Sequence, residues 1–363
     1  MQTTDDFRPN LMKGKKILYV HGFASSGQTG TAKTLRMLLP NCTVISPDLP
    51  LHPAEALALL HRICEEEKPD LVIGTSMGGM YAEMLYGFDR ILVNPAFQIA
   101  DTMTEHHMLG KQQWLNPRED GEKEFFVGKD LVKEFKALTD THSFSRIDEK
   151  ERRERVYGLF GTHDPLVHTF DIFSAHYINA IHMDAGHHLT DRIIINAVLP
   201  IIRWIDDRQN GVERPIVYID MDDCLTDYKN GWRKLSEEEK QAYEGHLYDC
   251  PGFFGRLEPV SGAVKAFKWL AEHYDTYILS SAPYSNPTAW SDKLVWVDEH
   301  LGVPAFRRLI LSHHKNLNYG DYLIDDREVN GAKDFMGTFL HFGQDPFKTW
   351  DDVLEFFEHL GGQ

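Results

Sequence analysis

Short apolar runs recur along the chain, and many of them break off into residues that carry chemistry. In the first half Lys16–Val20, 43–46, 71–74, 156–160 and 180–184 read as strands. Between them 31–39 reads as helix, and Pro53–Glu67 sets Ala56, Leu57, Leu60 and Ile63 at the spacing of an amphipathic helix. Strands alternating with helices predict an α/β layer on a parallel sheet. The second half repeats the pattern. Ile216–Ile219 runs into Asp220, Asp222 and Asp223, 275–279 runs into Ser280-Ser281, and 322–324 runs into Asp325-Asp326. Continuous apolar runs rich in β-branched residues fit strands buried on both faces, and ligands of such sheets sit beyond the carboxyl ends of the strands.

The pattern loosens over 100–155, where one helix is expected at 129–138 and the insertion is expected to cover the first site. The charged run 149–155 reads as a solvated face. A helix over 189–205 closes the first half. The polar stretch after it, with Asn210-Gly211 and then Pro215, marks a linker at 209–214 between domains 1–208 and 215–363.

A length of 363 residues accommodates two domains of the usual ~100–200 residues. The net charge of −17 argues against a nucleic acid polymer or an anionic membrane as partner. It leaves room for a small anionic substrate, because a bound metal reverses the sign of a cleft. The start MQTTDDFRPNLMKGKK lacks a signal-peptide core, and no run approaches ~18 apolar residues. Cys42, Cys64, Cys224 and Cys250 lack paired spacing and read as reduced thiols of a cytoplasmic protein.

Gly74-Thr75-Ser76-Met77-Gly78 matches G-x-S-x-G, with a strand before it and a helix after it. An oxyanion could be met by the amide of Phe23 or Ala24 together with that of Met77. Downstream, Asp164 follows a strand, and His187-His188 follow another. The order Ser…Asp…His is that of α/β-hydrolases. A metal site from His163, Asp164, His168, His187 and His188 needs more assumptions than a triad. The segments YVHGFASS, IGTSMGGMYAEML, ILVNPAF, GTHDPLV and DAGHH resemble the small bacterial YqiA/YcfP-type esterases of the α/β-hydrolase fold, over about 15–206. That resemblance implies Ser76 as nucleophile, Asp164 as orienting acid and His188 as base. His187, directly after the glycine, is the other candidate.

Packing Asp220, Asp222 and Asp223 together is costly unless a cation or proton offsets them, which suggests a Mg²⁺ site that handles phosphate. D-x-D, a serine after a strand, a lysine and then D-D resemble the motif set of the haloacid-dehalogenase phosphatases. That likeness implies a Rossmann-like fold with a small helical cap. Asp220 would be the nucleophile and Asp222 the acid and base. Ser280, Ser281 and Lys315 would bind the phosphoryl group. Asp220, Asp325 and the backbone carbonyl of Asp222 would hold Mg²⁺.

Within that superfamily the second half resembles the 5'(3')-deoxyribonucleotidases over about 215–357. The resemblance rests on Asp220-Met221-Asp222, Gly231-Trp232, Gly252-Phe253-Phe254, Leu257-Glu258-Pro259, Gly262-Ala263-Val264, Lys293…Trp296-Val297 and Leu323-Ile324-Asp325-Asp326-Arg327. It implies a cap in which Trp232, Phe253 or Phe254 stacks on a nucleobase. Asp223 departs from the family pattern, as do a short stretch between Tyr228 and Phe253 and an extra residue at Ser281-Ala282-Pro283. The expectation is a bifunctional hydrolase, a Mg²⁺-dependent phosphatase of a deoxyribonucleoside monophosphate joined to a serine esterase for an unidentified ester. The alternative is a phosphatase of another small metabolite, with the first domain as a non-catalytic scaffold.

Overall fold

A computed structural model describes residues 7–361. The chain divides into two compact units, Met1–Gly211 and Val212–Gln363.

In the first unit the apolar runs form strands β1 (Lys16–Val20), β2 (Thr43–Ile45), β3 (Leu71–Thr75) and β4 (Arg90–Val93). A hairpin follows, β5 (Gly110–Gln113) and β6 (Glu124–Val127), then β7 (Val156–Gly161) and β8 (Asn179–Met183). Six of these pair in parallel in the order β2-β1-β3-β4-β7-β8. Ile17, Leu18, Val72, Ile73, Ile91 and Leu92 are fully buried, as expected for strands covered on both faces. The register pairs Val20 of β1 with Gly74 of β3, so the loops that leave both strands start side by side.

The insertion holds the helices Ile99–Glu105 and Lys129–His142 and the antiparallel β5–β6 ribbon. Gln112 and Gln113 hide that ribbon from a hydrophobicity pattern. The run 149–155 departs from the expected solvated face at one residue. Glu151 is 3% exposed, accepts a hydrogen bond from the Gly87 amide at 2.6 Å and pairs with the buried Arg90. The closing helix runs to Asn210, two residues into the expected linker, because Gln209 bonds to Lys15, to Asp89 and to the carbonyl of Asp70. Gly211, at φ 63°, ends it.

The second unit is a five-stranded parallel sheet of β9 (Ile216–Ile219), β10 (Asp275–Ser280), β11 (Leu309–Leu311), β12 (Tyr322–Asp325) and β13 (Thr338–His341). Its order is β11-β10-β9-β12-β13, so the strand carrying Asp220 and Asp222 is central. The helices Ala263–His273 and Trp350–Gly361 pack in one hydrophobic core with Val217, Ile219 and Ile324. Between β9 and β10 lies a small cap. Its core of Leu235, Cys250, Phe253, Phe254 and Leu257 packs against Ala282 and Ala289. Among the described residues no helix is long and apolar enough to cross a membrane.

Candidate active sites

In the first unit β3 ends at Ser76, whose backbone is strained at φ 55°, ψ −119°. Neighbouring chain approaches that turn closely. A Cβ on Gly74 would stand 2.2 Å from the Gly78 carbonyl oxygen, and one on Gly78 would stand 2.0 Å from that of Val20. Small residues at both positions let helix Met77–Glu83 start directly against the sheet. The turn presents Ser76 Oγ 3.1 Å from His187 Nε2, and His187 Nδ1 lies 2.8 Å from Asp164 Oδ2. With Nδ1 donating to the carboxylate, Nε2 is left to accept the serine proton. Asp164 Oδ1 accepts from the amides of Leu166 and Val167 at 2.8 and 3.1 Å. Burial pushes the Asp164 carboxyl up, but the His187 bond and these two amides outweigh it and hold it below the usual range.

The histidine that meets Ser76 is thus His187, not the expected His188. The cause is the loop. Asn94, after β4 at φ 44°, donates to the carbonyls of Gly186 and His187 at 3.0 and 3.3 Å and accepts from the Gly161 amide at 2.7 Å. One side chain thereby ties the histidine loop to the end of β7. His188 stands beside the pair, its ring centroid 5.4 Å from that of His187.

The loop after β1 runs alongside the serine, where a Cβ on Gly22 would reach Ser76 Cβ at 3.4 Å. Phe23, the next residue, packs its ring edge-on against Phe125 at 5.5 Å. Met77 opens its helix, where amides lack an intrahelical carbonyl. Ser25 accepts from Asn116 at 3.0 Å and Ser26 donates to the Pro117 carbonyl at 2.7 Å, so the β5–β6 connection is fastened to this loop. His21 is buried as the neutral ring. Burial lowers it to about 4, while the Leu49 amide donates to Nε2 at 3.2 Å and Nδ1 meets the Gly22 carbonyl at 2.8 Å.

In the second unit the strand ends converge as expected. Lys315 Nζ lies 2.7 Å from Asp220 Oδ1 and 2.5 Å from Asp325 Oδ2, so both carboxylates reach one point. Asp220 is 2% exposed and Asp325 is 1% exposed. Burial, and then the neighbouring Asp220, pushes Asp325 up to about 7. Burial also raises Asp326, whose Oδ1 is buried and accepts no hydrogen bond. An all-oxygen donor set with an unsatisfied carboxylate oxygen suits a hard divalent cation. Asp220 and Asp325 could hold it, joined by the backbone carbonyl of Asp222 and by Asp326, a carboxylate oxygen of which lies within 4.8 Å of one of Asp220.

The carboxylate of Asp222 is committed elsewhere. Both its oxygens accept from Lys293 Nζ at 2.8 Å, and the same ammonium donates to Ser280 Oγ at 2.9 Å. Lys293 is fully buried, and no role for it was legible in the sequence. A signal existed. Lys293 follows Ala289 by four residues and precedes Trp296 by three, so a lysine sits on the buried stripe of helix Thr288–His300. Burial, and Asp220 close by, raise the Asp222 carboxyl despite that lysine.

A cavity of about 220 Å³ opens beside Asp222, lined by Tyr228, Tyr248, Phe254, Ser281, His313 and Arg327 among others. Ser281 accepts from Asn330 at 3.1 Å. Of the expected cap aromatics, only Phe254 lines this cavity. Phe253 is fully buried, filling the cap core where Gly231 makes room for its ring. Trp232 is 45% exposed, with Lys240 Nζ 5.3 Å from its ring centroid, and does not line the cavity. Tyr228 and Tyr248 line it instead.

Residues 16–196 match the uncharacterised protein family UPF0227. Residues 230–348 match the family described as 5' nucleotidase, deoxy (pyrimidine), cytosolic type C protein. A candidate 5'(3')-deoxyribonucleotidase of Vibrio phage KVP40 is 50% identical over 163 residues, which cover 45% of this chain and 95% of that protein. One from Bordetella pertussis is 34% identical over 139 residues, 31% of this chain and 75% of its own length. The human cytosolic-type 5'(3')-deoxyribonucleotidase is 28% identical over 167 residues, 38% of this chain and 78% of the human protein.

Proposed function

Because the chain belongs, through its second unit, to the family of the 5'(3')-deoxyribonucleotidases, we propose that this unit hydrolyses a deoxyribonucleoside monophosphate through Asp220. The chain is a hydrolase of two parts, an esterase-like unit followed by a nucleotidase-type phosphatase. The observation that carries the phosphatase reading is the meeting of Asp220, Asp325 and Lys315 within 2.7 Å at one sheet edge.

An Asp220 oxygen attacks phosphorus, the bond from phosphorus to the sugar oxygen breaks, and Asp222 gives that oxygen its proton. Water then attacks the phosphoaspartate, Asp222 takes back a proton, and phosphate leaves with Asp220 restored. The raised Asp222 carboxyl suits a group that must first hold a proton. Lys293 keeps it aimed, and Ser280, Ser281 and Lys315 receive the phosphoryl oxygens. Mg²⁺, held by Asp220, Asp325 and the Asp222 carbonyl, would offset the charge shared by nucleophile and phosphate. The base stacks in the cavity of Tyr228, Tyr248 and Phe254. Four free cysteines are in keeping with a cytoplasmic protein.

In the first unit, the bonds from Ser76 to His187 and from His187 to Asp164 support hydrolysis of an ester. His187 takes the serine proton as Oγ attacks the acyl carbon, and the Phe23 and Met77 amides receive the oxyanion.

A panel of phosphate esters, run with Mg²⁺ and with chelator, tests the phosphatase reading. Phosphate release from deoxyribonucleoside monophosphates is expected to vanish in Asp220→Asn and in chelator. Release by Asp220→Asn at the wild-type rate refutes the assignment. Short-chain aryl esters test the other site, with hydrolysis expected to be lost in Ser76→Ala.

A further inference from the structure

β10 and β11 run in parallel with Ser280 opposite Leu311, so the loops that leave the two strands start side by side. The Ser312 amide donates to the Ser280 carbonyl at 2.8 Å, and the next residue, His313, lines the cavity beside Asp222. Its Nε2 lies 2.7 Å from the Ala282 carbonyl oxygen. A carbonyl only accepts, so Nε2 carries the ring proton, and in the neutral ring Nδ1 keeps a lone pair. Nδ1 has no hydrogen-bond partner among the described residues. His313 also lies outside the segments that carry the family resemblance.

Two neighbours on this wall offer protons. Asn330 donates to Ser281 Oγ at 3.1 Å, which leaves the serine proton for another acceptor, and Arg327 can only donate. Such groups suit the anionic oxygens of a phosphate. A lone pair at Nδ1 does not, and it calls for an O–H or N–H of the nucleoside. Position selects the sugar. The phosphoryl group is assigned to Ser280, Ser281 and Lys315, and the carbonyl that holds the His313 ring belongs to the residue after Ser281. The rings of Tyr228, Tyr248 and Phe254, on which the base stacks, come from the cap segment between β9 and β10. The sugar joins the two. We propose that His313 sets specificity for the sugar, its Nδ1 accepting a hydrogen bond from the 3'-hydroxyl of a deoxyribonucleoside 5'-monophosphate. The inference rests on the phosphatase reading and adds to it the group that recognises the sugar.

The full chain with Mg²⁺ is assayed for phosphate release from deoxythymidine 5'-monophosphate and from its 3'-deoxy analogue, which lacks only that hydroxyl. The readout is the ratio of the two kcat/KM values. Both come from one preparation, so any unfolded fraction cancels. An acceptor left unpaired by the analogue predicts that the wild type favours the hydroxyl-bearing substrate by roughly 5–100-fold. His313→Gln keeps an amide N–H for the Ala282 carbonyl and puts no acceptor where Nδ1 stood. The ratio is then expected to fall to within about twofold of unity. His313→Asn places its amide at the position of Nδ1 and is expected to restore part of the ratio. His314→Gln, at the exposed neighbour, is expected to keep it. A wild-type ratio near unity, or a wild-type ratio kept by His313→Gln, overturns the proposal. If that variant keeps the ratio and instead shifts the preference between deoxythymidine and deoxycytidine monophosphates, it is overturned in favour of a contact to the base edge. Release from neither substrate by the wild type sinks the phosphatase reading and this inference with it. Mg²⁺-dependent release with a ratio near unity sinks this inference alone.

Discussion

Lys293→Met tests the link between a buried charge and the proposed chemistry most directly. The ammonium makes two 2.8 Å bonds to Asp222 and one of 2.9 Å to Ser280, all away from water. Methionine fills similar volume and supplies no charge. If Asp222 stays ionised it becomes an unpaired buried charge, a defect of about 3–5 kcal/mol. Taking up a proton avoids that cost. The Asp222 carboxyl already lies above its ordinary value, and losing Lys293 raises it further. A folded-state value above the unfolded one means that the folded chain holds the extra proton, so stability falls as pH rises from the ordinary carboxylate range. The deficit of Lys293→Met is therefore expected to be smallest in acid and to grow toward neutrality.

The kinetic consequence is asymmetric. Asp222 still donates to the leaving oxygen, but with its carboxyl raised further it regains a proton from solvent before water attacks, so the base form needed for the second step is scarce. General-base assistance is worth about 10²–10⁴-fold, so turnover is expected to fall on that scale. Nucleoside should appear in a burst while phosphoaspartate accumulates. Rapid-quench measurement of nucleoside against phosphate separates the two half-reactions, and chemical denaturation across pH gives the stability arm. Equal loss of both half-reactions, or wild-type turnover with an unchanged pH profile, refutes the reasoning.

Three further outcomes follow from the first unit. His187→Ala is expected to lower aryl-ester hydrolysis by about 10²–10⁴-fold while His188→Ala stays within a few-fold of wild type, and the opposite ranking would restore His188 as base. His21 falls from 6.5 to about 4, so below its ordinary value the unfolded chain takes a proton that the folded chain refuses. At 1.36 kcal/mol per unit, the wild type is expected to lose about 3 kcal/mol more than His21→Gln as pH falls across that window. Denaturant titrations above and below the window check this. Gly78→Ala would drive a Cβ to 2.0 Å from the Val20 carbonyl oxygen. Because the obstacle is backbone, the cost is expected at or above the top of the ~1–3 kcal/mol range for overpacking, read as a lowered unfolding midpoint.

Strands were legible where a continuous apolar run broke off into polar chemistry, because burial on both faces leaves no polar position to blur the pattern. Lys16–Val20 and Ile216–Ile219 are of this kind. β4 (Arg90–Val93) and β11 (Leu309–Leu311) are as apolar but short and were not read. The β5–β6 ribbon was not legible, since one strand of it reads GKQQ and carries no apolar alternation. Periodicity also could not find Glu151. Its burial depends on Arg90, 61 residues away in sequence and itself fully buried.

The site residues divide along the same line. Ser76, Asp164, Asp220, Asp325 and Lys315 sit at or just after strand ends or in the loops next to them, so chain order and parallel pairing bring them together. The choice between His187 and His188 hangs on Asn94, a single amide that fastens the histidine loop from a different strand. No spacing rule between a glycine and a histidine contains that contact. Lys293 was part of the family resemblance, but its role was not read, for the opposite reason. It stands where a helix should be apolar, and such a lysine reads as an error in the stripe until a buried partner is found. A charged side chain on a buried face is therefore better taken as a pointer to its counter-ion than as noise. Here the pointer leads to Asp222, whose carboxylate Lys293 holds while Lys315 holds Asp220 and Asp325.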